Sequence, residues 1–418
     1  MISMTASRLT IEPSDLQAPR SLAHPLTIPD TARAEVLALM ESGKLHRYAE
    51  AGGSSESYAA RLEREMARLL GRRYAVAVNS CGSALFLSLL GAGVRPGDPV
   101  LLNAFTLGPV PGAVVHAGAR PIAIGITDDL VIDCADLEAK ALQTGARHLL
   151  LSHMRGHVSD MTQVMCLAGR LGLTVIEDCA HTLGASWAGT PTGGFGIASC
   201  FSTQSGKHVN SGEGGVLVTD DPDIAARAIL HSGSYMLFAQ NGACPPADVM
   251  DRWANRCANF SLRLGEINAA LALSQLPLLP ERIRRWNDAH DRIALALARV
   301  QGIRLPQRPQ QEAYVQSSLQ FSLPSATRPQ IEDIVNRCRN RGVFLKWFGM
   351  AEPEGYTSTP KHWAHVSEED RSISPATERV LSSLLDFRLS TELTADDCET
   401  VAAIIAEEVR RAMQGAAA

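Results

Sequence analysis

Between residues 74 and 219 the chain repeats one pattern: a short apolar run, then a longer segment with helical spacing. The runs are YAVAVNS, PVLLN, RPIAIGI, HLLLSH, TVIEDC, ASCFSTQ and GVLVTD. CGSALFLSLLGAG, GPVPGAVVHAG and SDMTQVMCLAGRLG supply helical segments between them. Short β-rich runs alternating with helices predict an α/β domain around a mainly parallel sheet, because parallel neighbours need crossover helices. Special residues stand at the C-terminal ends of the runs: Asn79, Asn103, His153, Asp178 and Gln204. In an open α/β sheet that edge is where ligands bind.

The flanking segments extend this plan. TARAEVLALMESG reads as a helix ending at Gly43, and SESYAARLEREMARLLG as one from a serine-rich cap to Gly71. After about residue 222 the pattern turns helical through DIAARAILHSG, SLRLGEINAALALSQLPLL and PERIRRWNDAHDRIALALARVQG, the last long enough to bridge two domains. QFSLPS and VFLKWF read as strands, and RPQIEDIVNRCRNRG and the Thr394-capped TADDCETVAAIIAEEVRRAMQG as helices. The predicted division is an N-terminal arm over 1–30, a large α/β domain over 31–286 and a smaller α+β domain over 287–418.

With 45% hydrophobic residues and 20% charged, the composition is that of a soluble globular protein. A formal charge of -5 gives no reason to expect nucleic acid or an acidic membrane as partner. Nine scattered cysteines without a CxxC read as free thiols in a reducing cytoplasm. No signal-peptide core and no apolar run of ~18 residues is present, so a cytoplasmic location is expected.

Three features carry chemistry. Asp178 ends the run TVIED, where a carboxylate can hold a protonated ring nitrogen or a metal, or simply cap the next helix. No second carboxylate or histidine stands at a clear metal-ligand spacing, which makes a metal the weaker option. In NSCGSALFLSLLG, small residues turn from strand to helix, and backbone N–H groups at such a start can hold a phosphate, with the Ser83 hydroxyl added; a plain turn reads the same way. Lys207 sits in FSTQSGKHVNSGEGG, between two strand-like runs and among small residues, although most lysines are simply solvated. Together a phosphate cradle, an acid for a ring nitrogen and a lysine amine are what pyridoxal phosphate (PLP) requires.

The segments RYAVAVNSCGSAL, RPGDPVLLNAFT, HAGARP, HMRGHVSDM, VIEDCAH, FSTQSGKHVNSGEGG and NFSLRLGEINAALALSQL resemble the DegT/DnrJ/EryC1/StrS family of PLP-dependent aminotransferases. The resemblance implies fold type I, with a mainly parallel seven-stranded sheet and a smaller α+β C-terminal domain. It implies that Lys207 forms the Schiff base and that Asp178 partners the pyridinium nitrogen. His181, in place of the family's usual Gln, would lie beside the ring. Gly82, Ser83 and Ser202 match phosphate ligands. Asn259 matches an asparagine that reaches the cofactor of the partner subunit in a homodimer with shared active sites.

Four places depart from the family. Leu107 stands where an aromatic usually packs on the ring, a place that Phe105 or the leucine itself can fill. Arg155, in SHMRGH, replaces a tyrosine, and either binds a carboxylate or forms an ion pair. LKWFGMAEPEGYTSTPKHW replaces the usual HYPPLH; Lys346, Trp347 and Tyr356 are candidate substrate contacts, with core or loop roles as the alternative. Gly206 stands in place of a bulkier residue, and either loosens the lysine or makes room for a substrate. These departures put a standard nucleotide-sugar acceptor in doubt and leave the PLP chemistry intact. The expected reaction transfers an amino group from glutamate or glutamine to a keto sugar, cyclitol ketone or related ketone, with the cofactor alternating between PLP and pyridoxamine phosphate. The alternatives are a sugar dehydratase using the same cofactor, or an elimination or cyclisation on a small amino acid.

Overall fold

The computed structural model describes residues 16–18, 25–48, 56–355 and 357–414. Most of the expected N-terminal arm, and Tyr356, lie outside the described residues. Helices α1 (Asp30–Ser42) and α2 (Tyr58–Leu70) lead into β1 (Tyr74–Val78), α3 (Cys81–Gly91), β2 (Pro99–Asn103), α4 (Pro109–His116) and β3 (Arg120–Ile124). Next come α5 (Cys134–Thr144), β4 (His148–Ser152), α6 (Met161–Leu171), β5 (Thr174–Asp178), β6 (Ala198–Ser202) and β7 (Gly215–Thr219). The seven strands form one sheet in the order β1-β7-β6-β5-β4-β2-β3. β3, β2, β4, β5 and β6 pair in parallel, and β7 runs antiparallel to both neighbours.

Alternation along each strand decides which layer a side chain joins. Leu101, Leu149, Leu151 and Val175 belong to one core layer, and Val100, Leu102, Leu150 and Ile176 to the layer on the opposite face. Both faces are covered, which is why the strands are apolar throughout rather than alternating with polar residues. The helix stops are local. Gly71 takes φ 64 at the end of α2, where its N–H closes the last turn onto Ala67 and Arg68.

The chain continues through α7 (Pro222–Ser232), α8 (Ala247–Trp253), α9 (Glu266–Gln275) and α10 (Leu279–Leu297). The C-terminal part holds β8 (Ser318–Ser322), α11 (Arg328–Asn340), β9 (Lys346–Trp347), α12 (Pro375–Ser383), β10 (Leu384–Arg388) and α13 (Ala395–Gln414). Its sheet has the order β8-β10-β9, antiparallel throughout, and packs one face on α10, α11 and α13. The expected cap of α13 is present: Asp397 N donates to Thr394 Oγ1, and Thr394 N to Asp397 Oδ2. Among the described residues no helix is long and apolar enough to cross a membrane.

Two expectations are corrected here. SLRLG is not helical: α9 begins at Glu266, and the preceding residues extend beside β1, with a bridge from Val78 to Arg263 and a bond from Asn79 N to Leu262 O. The strand expected over VFLKWF shrinks to Lys346–Trp347, the only part paired with β10.

Candidate active site

The sheet register assembles the centre. Ser152, ending β4, lies opposite Asp178, ending β5. The Ser152 hydroxyl therefore donates to Asp178 Oδ2 at 2.6 Å, while Oδ1 accepts from Ala180 N at 3.1 Å. The carboxylate is buried at the end of its strand, and no helix begins directly after it among the described residues, so the expected helix cap is not formed and the bond from Ala180 closes a turn instead. Ser202 ends the neighbouring β6 and accepts weakly from Gln204 N at 3.3 Å.

Lys207 lies on the loop between β6 and β7, and its Nζ is 2.7 Å from His181 Nε2. Burial, with the positive charge of Arg155 next, lowers the lysine pKa to about 7. Burial and the neighbouring cations Lys207 and Arg155 also hold His181 well below the usual histidine range. The amine is thus available in its uncharged, nucleophilic form near neutrality.

The start of α3 forms the adjoining cradle. Ser80 caps it, accepting from Ser83 N at 3.0 Å, and the Ser83 hydroxyl donates to Asn79 Oδ1 at 2.6 Å. The first-turn N–H groups of Cys81 and Gly82 have no carbonyl one turn back to bond. The GEGG turn brings β7 against this start so closely that a Cβ on Gly215 would lie 2.5 Å from Cys81 N. Gly206 has a different reason. A Cβ there would meet Arg388 Nη1 at 2.9 Å, and the Gly206 carbonyl accepts from Arg388 Nη2 at 2.6 Å. The glycine thus makes room for an arginine from β10.

The other candidates fall in three places. Leu107 is half-buried against a cluster that holds Phe105, Met154 and Phe348, and Phe105 itself is wholly buried with its ring 5.3 Å from that of Phe348. Arg155 is buried at φ 56, a left-handed conformation uncommon for a side chain of this size, and its Nη2 lies 2.9 Å from Asp386 Oδ2. Asn259 is exposed, accepting from Ser261 N at 2.8 Å, on a loop with the 67% exposed Phe260. Lys346 and Trp347 occupy opposite faces of β9. Trp347 is 4% exposed in the C-terminal core and donates to Ser382 O at 2.6 Å, so the candidate contact becomes a core residue. Lys346 faces the other way, where burial and then Arg155 lower its pKa.

Sequence reasoning missed Ser152, Arg388 and Asp386. Ser152 had a signal, being the last residue of a strand-like run; the other two had none. It also did not foresee that His153, Glu177 and Cys179 converge, with ligand-type atoms within 4.8 Å of one another. Glu177 is already committed there: it accepts from His153 and from the N–H groups of Gly193, Phe195 and Gly196. Burial would raise its pKa, but these bonds outweigh burial and lower it.

A lysine, a buried aspartate and a Ser80-capped helix start, gathered at the C-terminal edge of a mixed seven-stranded sheet, fit a fold type I transferase. The chain belongs to the DegT/DnrJ/EryC1/StrS aminotransferase family, whose model matches residues 30–406. It is 30% identical over 279 residues to the spore coat polysaccharide biosynthesis protein SpsC of Bacillus subtilis, covering 65% of this chain and 68% of that protein. It is 31% identical to GDP-perosamine synthase of Caulobacter vibrioides over 222 residues, covering 53% of this chain and 57% of the other. The solved structure of 3-amino-5-hydroxybenzoic acid synthase superposes with a TM-score of 0.80 at 23% identity, over 94% of this chain and 100% of that one, which shows a shared fold.

Proposed function

We propose that this enzyme is a PLP-dependent aminotransferase that moves an amino group from glutamate or glutamine to a keto sugar, cyclitol ketone or related ketone, in glycan or secondary-metabolite biosynthesis. The observation that carries this reading is the Lys207 amine, partly covered and 2.7 Å from His181, on the sheet edge that ends in Asp178.

The residues present fit the cofactor. Asp178 would hold the protonated ring nitrogen, a role suited to a buried carboxylate oriented by Ser152. Gly82 and Ser83 at the start of α3, with Ser202, would take the phosphate; Asn259 from the second copy of a homodimer would complete that site. His181 and Leu107 would flank the ring. When bound, PLP supplies the reactive carbonyl and the electron sink. Lys207 does the proton work. Its uncharged Nζ takes a proton from the substrate carbon that bears nitrogen and returns one in the opposite half of the exchange. His181, held neutral, accepts from the lysine and keeps it aimed.

This reading keeps the division into a large domain over 31–286 and a smaller one over 287–418, bridged by α10, in a cytoplasmic protein. The test is spectroscopic. Purified protein mixed with PLP develops a visible-edge absorption band from cofactor bound to Lys207, and glutamate or glutamine bleaches it with release of the oxo acid. Lys207→Ala abolishes the band and the turnover; a band that persists in that variant overturns the role of Lys207. Release of ammonia without amination of an acceptor would favour elimination instead.

A further inference from the structure

β2 and β4 run together only as far as Leu102 and Leu150, whereas β4 and β5 stay paired to Ser152 and Asp178. At Ser152 the backbone of β4 therefore has no strand partner on the β2 side. The side chain of Asn103, the last residue of β2, fills that place. Its Oδ1 accepts from Ser152 N at 2.9 Å, and its Nδ2 donates to Ser152 O at 3.0 Å. The same Nδ2 donates to Phe105 O at 2.8 Å. A carboxamide offers the donor and acceptor of a peptide group, so it continues the ladder where strand pairing has ended. Asn103 is 1% exposed and Ser152 3%, so loss of this amide leaves buried backbone groups unpaired.

The clamp matters because of what Ser152 holds. Its hydroxyl donates to Asp178 Oδ2 at 2.6 Å. Oδ1 accepts from Ala180 N at 3.1 Å and lies 4.0 Å from the Cys81 sulfur. Burial, and after it the Asp178 charge, push the Cys81 thiol well above its ordinary range, so it stays a neutral donor. The bonds to this carboxylate thus come from a hydroxyl, a backbone N–H and a thiol, not from a cation. Donors around a carboxylate favour its charged form, and a buried charge calls for an opposite one. Here that would be the protonated ring nitrogen of PLP.

We propose that Asn103 and Ser152 are positioning residues for the cofactor ring nitrogen, acting through Asp178. Asn103 fixes the backbone of Ser152. The Ser152 hydroxyl fixes one oxygen of Asp178 and keeps that carboxylate an acceptor, so the shared proton stays on the ring. The same Asn103 amide, through Phe105 O, sets the segment that leads to Leu107. This inference rests on the PLP reading and deepens it: the ring proton is governed from the end of β2 as well as by Asp178 itself.

The test compares two dissociation constants for each purified variant, measured by absorption titration: that of PLP and that of its deaza analogue, in which C–H replaces the ring nitrogen. Asp178 tells the two apart only through that nitrogen, so their ratio isolates the contact. The wild type prefers PLP. Ser152→Ala reduces the preference on the order of 10-fold by weakening PLP alone, and Ser152→Thr, which keeps the hydroxyl, restores it. Asn103→Ala reduces the preference in the same direction. A merely structural role would weaken both ligands alike and leave the ratio unchanged. An unchanged ratio in Ser152→Ala overturns the proposal, and does so even where Asn103→Ala fails to fold. With the PLP band of the wild type intact, that result sinks this inference alone; a wild type that forms no such band sinks the aminotransferase reading and this inference with it.

Discussion

Two arginine–carboxylate pairs are buried to the same degree, and they are built for different purposes. Arg47 and Glu63 meet through two bonds of 2.8 Å, and the Glu63 oxygens also accept from Ala77 N and Gly242 N, both at 2.9 Å. That carboxylate is saturated, and it ties α2 to β1 and to the loop before α8. Arg155 and Asp386 meet at 2.9 Å without hydrogen-bond alignment, beside two further cations and the Lys207 loop. Equal burial therefore does not mean equal role. The first pair closes a contact between elements; the second lies near Lys207, whose pKa Arg155 helps to lower.

The comparison can be broken by substitution. Glu63→Gln leaves the Arg47 charge buried opposite a neutral group, and about 3–5 kcal/mol of stability is lost. Denaturant unfolding reads this loss. Asp386→Asn costs less, about 1–3 kcal/mol, because Asp386 takes one hydrogen bond from Gln320 and one unaligned contact from Arg155, where Glu63 takes four hydrogen bonds. A loss as large as that for Glu63→Gln would make both pairs structural ties.

The smallest effect is a shift in a pH profile. Burial, and Arg155 after it, lower the pKa of Lys207 from the ordinary 10.5 to about 7, so the reactive neutral amine gains as pH rises through about 7. The rate of cofactor attachment follows that rise. Arg388 is a lesser cation lowering the same group, so Arg388→Gln moves the midpoint upward, while Glu63→Gln leaves it in place. A midpoint unmoved by Arg388→Gln would place that guanidinium too far from the amine to act on its charge.

Much of the central sheet was legible because each strand is a short apolar run bounded by a helix start or stop. Where that punctuation fails, so did the reading. α5 buries only Leu137 and Ala141, too narrow a stripe to announce a helix. α12 passes into β10 at Ser383–Leu384 without an intervening turn, so neither was recognised. SLRLG carried helix-compatible residues but was drawn into pairing beside β1, a tertiary effect that overrides local preference.

Local spacing alone determined that Asp178 and Ser202 end strands, that Lys207 follows in a loop of small residues, and that a sheet edge gathers them. It also determined that Lys346 and Trp347 point to opposite faces, since neighbours in a strand always do. Which of those faces is core, and which covers the active site, was decided only by packing of the small sheet on α10, α11 and α13. Packing likewise chose the strand order that sets Ser152 on Asp178, and brought Arg388 to Gly206 across 182 residues of chain. The physical reason is range: periodicity is written in near neighbours, whereas the charge around Lys207 is set by groups that only the folded chain brings together.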